Sequence, residues 1–200
     1  MPELIQQSLR DGVEFDDPRF DRIYPLGHRL RSAVHWTPVD VARRVCELLA
    51  LGPHHTVLDV GSGVGKMCLI GALVTDATWV GIERDAAMVS AGARAARLLG
   101  LQRRVNFVCG TLDAIDWARF DAFYLFNPFA ETLISGPDDA LARRRTYIAD
   151  IEIVQRHLAV ARPGTRVVTY HGFGGDMPPE LELTWAEAAH EDELRVWTHR

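Results

Sequence analysis

From Thr56 onward, short apolar runs alternate with longer stretches in which apolar residues recur every three or four positions. The short runs predict buried β-strands, and the longer stretches predict helices that pack on a sheet. The predicted strands are Thr56–Val60, Thr78–Ile82, Val105–Cys109, Ala122–Phe126 and Arg166–Tyr170, and the predicted helices are Pro38–Leu51, Lys66–Leu73, Ala86–Leu99 and Asp138–Ala161. This alternation is typical of a parallel sheet with crossover helices.

The end of the chain follows a different pattern. Leu181–Ala186 and Glu193–Thr198 have the composition of strands, and only a short polar turn around His190-Glu191-Asp192 separates them. A connection this short favours an antiparallel hairpin. The sequence therefore predicts an α/β fold of three layers, with helices on both sides of a seven-stranded, mostly parallel sheet that ends in an antiparallel strand.

The segment before the first strand contains a helix signal. Thr37 is predicted to cap the helix that begins at Pro38, and Gly52-Pro53 is predicted to end it. We divide the chain into an N-terminal extension, residues 1–34, and a ligand-binding domain, residues 35–200. Carboxylates alternate with aromatic residues in Asp11–Gly27, and we hypothesise that this part of the extension is a lid.

Length and composition narrow the class of protein. The 200 residues are 48% hydrophobic and 24% charged, which suits one globular α/β domain. No stretch approaches the roughly 18 apolar residues that span a bilayer, and no secretory signal is visible, so we expect a cytoplasmic protein.

The charge argues against broad nucleic-acid binding. The net charge of −5 provides no overall positive field. Local arginine patches remain an alternative, and the arginine runs are Arg29 with Arg31, Arg103-Arg104 and Arg143-Arg144-Arg145.

Three cysteines, Cys46, Cys68 and Cys109, lie far apart and form no C-x-x-C pair. Neither a zinc site nor a disulfide framework is expected, and no metal site is predicted. Each cysteine has apolar neighbours in sequence, so we expect all three to be buried as small hydrophobic residues.

The most informative segment is Val57–Lys66, in which a buried strand runs into Gly61-Ser62-Gly63-Val64-Gly65 and a helix begins at once. Glycines permit a tight turn and close approach of backbone to a ligand, and the helix N-terminus presents free N–H groups. A phosphate-binding P-loop is excluded because Val60 replaces its first glycine and Met67 its hydroxyl residue. A dinucleotide motif lacks its third glycine, since Lys66 stands there.

A carboxylate follows the glycine turn at a spacing that suits ribose binding. Glu83 ends the next strand, about 20 residues after the glycines, where a ribose needs an acceptor for its hydroxyl groups. Asp59 lies two residues before the first glycine. Two carboxylates beside one cleft suit a ligand that carries an ammonium and a sulfonium.

These segments resemble the cofactor-binding motifs of class I methyltransferases, which use S-adenosylmethionine (SAM). The resemblance implies that Asp59 lies near the methionine end of SAM, that Gly61, Gly63 and Gly65 back the cofactor, and that Glu83 holds the ribose. The D-x-G-S-G-x-G wording also resembles non-SET lysine methyltransferases. The full set of cofactor-binding residues that we predict is Trp36, Thr37, Asp59, Gly61, Ser62, Gly63, Gly65, Glu83, Arg84, Thr111, Leu112 and Asn127.

Two further segments resemble this family with departures. Val105–Asp113 resembles the strand and loop that hold adenine, but Thr111 stands where an acidic residue is usual, which leaves Thr111, Leu112 and Asp113 as alternatives. Trp36-Thr37 resembles an aromatic-Thr-Pro segment near the SAM carboxylate, where a helix N-terminus favours an anion.

The predicted catalytic residues are Asn127, Pro128 and Phe129, which follow the fourth strand. They resemble the N-P-P-[YF] motif of amino-methylating enzymes, without its second proline. The resemblance implies that Asn127 orients the acceptor and that the aromatic ring stacks on a planar group. His35, Glu131 and His171 are alternatives for a base.

The sequence therefore predicts a SAM-dependent methyltransferase that acts on a small-molecule or protein acceptor. The alternatives are a nucleic-acid amino-methyltransferase, and a non-catalytic protein that binds SAM or a dinucleotide.

Overall fold

The structure is a computed structural model that describes residues 2–13, 15–29, 36–134 and 139–200. A seven-stranded sheet runs through its middle. The strands are β1 (Thr56–Val60), β2 (Thr78–Glu83), β3 (Val105–Cys109), β4 (Ala122–Phe126), β5 (Arg166–Tyr170), β6 (Leu181–Ala189) and β7 (Asp192–His199). The first five agree with the predicted strands to within one residue.

The strands lie in the order β3-β2-β1-β4-β5-β7-β6. All pairs from β3 to β5 are parallel, and β7 is antiparallel to both β5 and β6. The predicted fold is therefore confirmed. The chain reverses its direction of growth at β1, between β2 and β4, and ligands of open α/β sheets bind at such a point, beyond the carboxyl ends of the strands.

Helices cover both faces of the sheet. The helices that follow the N-terminal region are α4 (Val39–Leu49), α5 (Lys66–Val74), α6 (Ala86–Leu98), α7 (Ala130–Ile134) and α8 (Ala140–Ala159). Helix α5 is apolar nearly all round, and eight of its nine residues are buried. It forms an inner part of the core rather than a surface helix.

The N-terminal region contributes α1 (Pro2–Arg10), α2 (Asp17–Phe20), a 3-10 turn (Asp21–Ile23) and α3 (Leu26–Arg29). Ile5, Leu9 and Phe20 are at most 1% exposed and belong to the same apolar cluster as α4 and α5. This region is packed into the core of the fold. Whether part of it acts as a lid stays a prediction.

Two local expectations were wrong. Thr37 does not cap α4: the cap position is Pro38, and the side chain of Thr37 bonds instead to Tyr124. Cys109 is exposed, because β3 is an edge strand and this residue points outward near the carbonyl of Arg84. Cys46 and Cys68 are buried, as expected.

The ends of several elements also differ from the prediction. Helix α4 ends at Leu49, with Ala50 in a left-handed conformation (φ +49°), before the Gly52-Pro53 pair is reached. Strands β6 and β7 are longer than predicted because their hairpin turns through only two residues, His190 and Glu191. No helix in the described ranges is both long and apolar enough to cross a membrane.

A substitution in α5 tests the packing of this helix against the sheet. A Cβ added at Gly71 would lie 2.2 Å from Cε2 of Trp79, a side chain with 0% exposure. We expect Gly71→Ala to destabilise the fold by about 1–3 kcal/mol through overpacking. The melting temperature should fall by roughly 3–10 °C in a thermal denaturation experiment.

Gly27→Ala is the matched control, because nothing lies within 4 Å of the added Cβ at that helical glycine. Its melting temperature should be unchanged or slightly raised. Equal melting temperatures for Gly71→Ala and the unmodified protein would contradict the close α5–β2 contact.

Candidate active site

The glycine turn joins β1 to α5 at the carboxyl edge of the sheet. Gly61, Gly63 and Gly65 have φ values of +70°, +55° and +75°, a region that residues with a Cβ rarely adopt. The N–H groups of Gly61 and Ser62 both donate to the carbonyl of Ile82 at 3.0 Å. The turn is thereby fixed to β2, and its glycines are required by backbone conformation.

Close neighbours leave no room for side chains at the two ends of the turn. A Cβ at Gly61 would lie 2.5 Å from Cβ of Pro128, and one at Gly65 would lie 2.2 Å from the ring of Phe107. The loop after β4 therefore packs directly on the turn. Residues that the sequence separates by more than 60 positions share one edge of the cleft.

Glu83 ends β2 with its carboxylate held by backbone groups. Its Oε2 accepts from Gly63 N–H at 3.0 Å, and its Oε1 accepts from Asp85 N–H at 2.9 Å. These bonds hold the carboxylate at the turn. The unused lone pairs of its oxygens are the acceptors that a ribose requires.

Asp59 lies in β1 and is buried, with 4% exposure. The thiol of Cys68 donates to its Oδ2 at 3.4 Å. Burial raises the pKa of Asp59 to about 7, and the nearby charge of Glu83 acts in the same direction. Near neutral pH this carboxyl group is poised between its two charge states.

A cleft opens to solvent at this edge, with about 370 Å³ of empty space that includes part of its opening. Six predicted cofactor-binding residues line it: Trp36, Thr37, Asp59, Gly61, Ser62 and Gly63. Five residues that the sequence did not single out as ligand-binding also line it: Val64, Lys66, Met67, Tyr124 and Phe126. The Ser62 hydroxyl is buried and has no hydrogen-bond partner among the described residues.

The segment Trp36-Thr37 forms one wall of the cleft. The hydroxyl groups of Thr37 and Tyr124 lie 2.8 Å apart and share a buried hydrogen bond. The N-terminus of α4 is capped from another part of the chain, since Oδ1 of Asp17 accepts from Val39 N–H at 2.9 Å. This N–H is therefore already paired with a carboxylate.

Lys66, the only lysine of the chain, begins α5 and is 2% exposed. Its Nζ lies 2.5 Å from Oδ1 of Asp17 and 2.9 Å from Oδ1 of Asp21. The same atom lies 5.8 Å from the ring centres of Phe20 and Trp36. We call Lys66, Asp17 and Asp21 the lysine cluster. Sequence reasoning missed it because the acids precede the lysine by 49 and 45 positions.

The three predicted catalytic residues have different environments. Asn127 has a left-handed backbone (φ +37°), and its N–H donates to the carbonyl of Gly172 at 2.9 Å. Pro128 packs on Gly61, as described above. Phe129 is 3% exposed and belongs to an apolar cluster with Phe173 and Ile151. The Phe129 ring packs in the core. At the end of β4, the aromatic side chain that lines the cleft is Phe126.

The three alternatives for a base lie in different parts of the chain. His171 follows β5 with a left-handed backbone (φ +56°), and its Nδ1 contacts the carboxylate of Asp192. The register pairs Phe126 with Tyr170, so Asn127 and His171 follow neighbouring strands. Glu131 lies in α7, and His35 lies outside the described residues.

The predicted adenine side lies beyond β2 and β3. The N–H of Gly110 donates to the carbonyl of Glu83 at 2.9 Å and joins the two strand ends. Thr111 and Asp113 are exposed, whereas Leu112 is 4% exposed and packs in the core. Arg84 pairs with Asp150 of α8 at 2.8 Å. None of these four lines the cleft, and their cofactor contacts stay predictions.

Comparisons with known proteins agree with this architecture. Residues 31–125, just under half of the chain, match the sequence model of protein-L-isoaspartate(D-aspartate) O-methyltransferase. No curated protein sequence matches the chain.

The fold is also similar to solved structures. An RNA methyltransferase from Salinibacter ruber, in complex with S-adenosyl-L-homocysteine, has a TM-score of 0.60 and 23% identity over 82% of this chain and 92% of its own. An O-methyltransferase from Bacillus cereus, also with this compound, has a TM-score of 0.61 and 14% identity over 100% of both chains. TrmN from Thermus thermophilus has a TM-score of 0.65 and 18% identity over 91% of this chain and 52% of its own.

The chain has the fold of the class I methyltransferases. Two of these similar structures contain S-adenosyl-L-homocysteine, which is SAM without its methyl group. The residues of the cleft fit SAM, the cofactor that the sequence resemblance implies, on two counts. Gly61 and Gly63 bring the backbone of the turn to the cleft wall, and Ser62, whose buried hydroxyl has no hydrogen-bond partner among the described residues, also lines the cleft. No group of three His, Cys, Asp or Glu side chains in the described ranges could hold a metal ion.

The raised pKa of Asp59 predicts that the affinity for SAM depends on pH. The resemblance places Asp59 at the positively charged end of SAM, which its ionised form would attract and its neutral form would not. We expect the affinity for SAM, measured by calorimetry, to increase on the order of tenfold between pH 5.5 and pH 7. Asp59→Asn should bind SAM weakly, with no such increase.

Asp59→Asn also provides its own folding control. A buried acid with a raised pKa binds its proton more tightly in the folded than in the unfolded state, so its contribution to stability falls as pH rises from about 4 to 7. The variant should melt no lower than the unmodified protein at pH 8. A pH dependence retained in the variant would show that another group is responsible.

Proposed function

We propose that this protein is a SAM-dependent methyltransferase, which transfers the methyl group to a small-molecule or protein acceptor that Asn127 positions. The observation that carries the proposal is the contact of Pro128 with Gly61, at 2.5 Å from the position of an added Cβ. Because this contact ties the loop after β4 to the cofactor turn, the neighbouring residue Asn127 belongs at the methyl end of the site.

The backbone of Asn127 supports a functional role. A left-handed φ at a residue other than glycine is uncommon, and such strain persists where the surroundings enforce it. The bond from Asn127 N–H to Gly172 holds the loops after β4 and β5 together. A side-chain amide here offers both a donor and an acceptor to the nucleophile.

SAM supplies an activated methyl group on a sulfonium. The protein has to hold the nucleophilic atom in line with it and to exclude water, and such orientation can supply a large part of the rate. A nitrogen or oxygen nucleophile must also lose a proton. Of the residues considered as a base, His171 has the geometry that suits the role, because Asp192 can orient its ring and stabilise its protonated form.

The charge of the cleft supports a small-molecule or protein acceptor. Lys66 is the single basic residue among the described residues that line the cleft, and two carboxylates already contact it. A polyanionic substrate would require further positive charge at the opening. The match to a protein O-methyltransferase model agrees with a protein acceptor without identifying one.

A nucleic-acid acceptor is the second hypothesis. Arg144 and Arg145 are exposed near the N-terminus of α8 and form no ion pair with any described residue. This end of α8 lies toward the cleft edge, since its Tyr147 contacts Gly174 in the loop after β5. Two of the similar structures, the RNA methyltransferase and TrmN, add weight to this alternative.

Transfer of a labelled methyl group from SAM to separated cell fractions distinguishes the two hypotheses. We expect label in the small-molecule or protein fraction, unaffected by nuclease treatment, by salt or by Arg144→Ser/Arg145→Ser. Label in RNA or DNA that decreases steeply with salt and is lost in the double variant would overturn the proposal.

Asn127→Ala tests the positioning role with the acceptor so identified. We expect turnover to fall by roughly 10- to 100-fold, because the nucleophile is no longer aligned. The affinity for SAM should change by less than about twofold, since the amide acts on the acceptor. Asn127→Gly is the matched variant: it tolerates the left-handed backbone, so an equal loss of turnover would assign the effect to the amide. A large loss of SAM affinity with turnover retained would contradict the role.

A further inference from the structure

The lysine cluster is a buried charge arrangement that methyl transfer itself does not require. Lys66 is 2% exposed and Asp21 is 4% exposed, and the side chain of Asp17 is 39% exposed. Charges this deep are costly to bury unless they are paired. The two acids come from the N-terminal region, whereas the lysine follows the glycine turn.

The pairing does not use the whole ammonium group. A lysine ammonium has three N–H donors; one donates to Asp17 at 2.5 Å, and the ion pair with Asp21 at 2.9 Å takes up at most a second. The Phe20 and Trp36 rings lie beside the ammonium at 5.8 Å and accept no ordinary hydrogen bond. Lys66 also lines the cleft, as Trp36 does. One donor is therefore left for a group that enters the cleft.

The other site that the sequence suggested for an anion is already partly taken up by a carboxylate of the protein. The N-terminus of α4 was expected to face the carboxylate of SAM, but its Val39 N–H bonds to Asp17. The same Asp17 oxygen contacts Lys66. Asp17 thus neutralises the helix end and directs the lysine, and the ammonium becomes the positive group available in the cleft wall.

We propose that Lys66 binds the carboxylate at the amino-acid end of SAM through its third N–H. Asp17 and Asp21 hold the ammonium in place. The N-terminal region thereby completes the cofactor site, and Lys66 selects cofactors that carry a carboxylate. This inference rests on the use of SAM and is independent of the acceptor.

Decarboxylated SAM is the sharpest probe, because it keeps the adenosine, sulfonium and ammonium and lacks only the carboxylate. Calorimetry on the unmodified protein should show that SAM binds roughly tenfold or more tightly than this analogue, as expected for a charge-assisted bond. In Lys66→Met the two ligands should bind alike, with SAM weakened and the analogue little changed.

Matched variants guard against misfolding. Lys66→Met leaves two acids without their cation, so Lys66→Met/Asp21→Asn keeps the net charge of the cluster at −1 and should also bind both ligands alike. Asp21→Asn alone removes one of the two acids that hold the ammonium but keeps Lys66, so SAM should still bind more tightly than the analogue, by a smaller factor.

The outcomes separate this inference from the proposed function. Equal weakening of both ligands in the lysine variants would show that Lys66 only attaches the N-terminal region to the fold. An undiminished preference for SAM in those variants would also overturn the inference. Neither result bears on Asn127, whereas failure of the unmodified protein to bind either ligand would overturn the enzyme assignment itself.

Discussion

The site depends on the close approach of three backbone segments at the carboxyl edge of the sheet. The glycine turn donates two N–H groups to Ile82 of β2 and a third to Glu83, and its first glycine packs on Pro128 after β4. A side chain at Gly61 would separate these segments. Both the positive φ values of the turn and its close contacts require glycine. The resulting close approach sets the distance between the cofactor cleft and the loop that carries Asn127.

Burial of charge is the second feature that shapes the cleft. Asp59 is enclosed beside Cys68, and Lys66 is enclosed between two acids and two aromatic rings. Buried charge that is only partly compensated costs stability, and a ligand of complementary charge can recover part of that cost. The apolar cluster around α5 and β2 provides the rigid support on which such groups can be held.

Hydrophobic periodicity was sufficient to predict the parallel strands of the sheet, because buried parallel strands are short apolar runs. The five predicted parallel strands match β1 to β5. The glycine turn and Glu83 were also found, since their spacing is local. Contacts between segments that are distant in the sequence were not predicted. Thr37 bonds to Tyr124 across 87 positions, and Asp17 reaches Val39 and Lys66 from a region without a usable motif. Phe129 was assigned to the acceptor site, but whether its ring faces a ligand or the core depends on how the loop after β4 folds back on α8.

The solitary lysine has a practical consequence for chemical labelling. Reagents that acylate lysine side chains find no exposed target on the folded chain, because the ammonium of Lys66 is enclosed and 2% exposed. Acylation at this one position therefore reports entry of the reagent through the cleft, opening of the N-terminal region or global unfolding, and its rate under native conditions sets an upper limit on how often the region detaches from the rest of the protein.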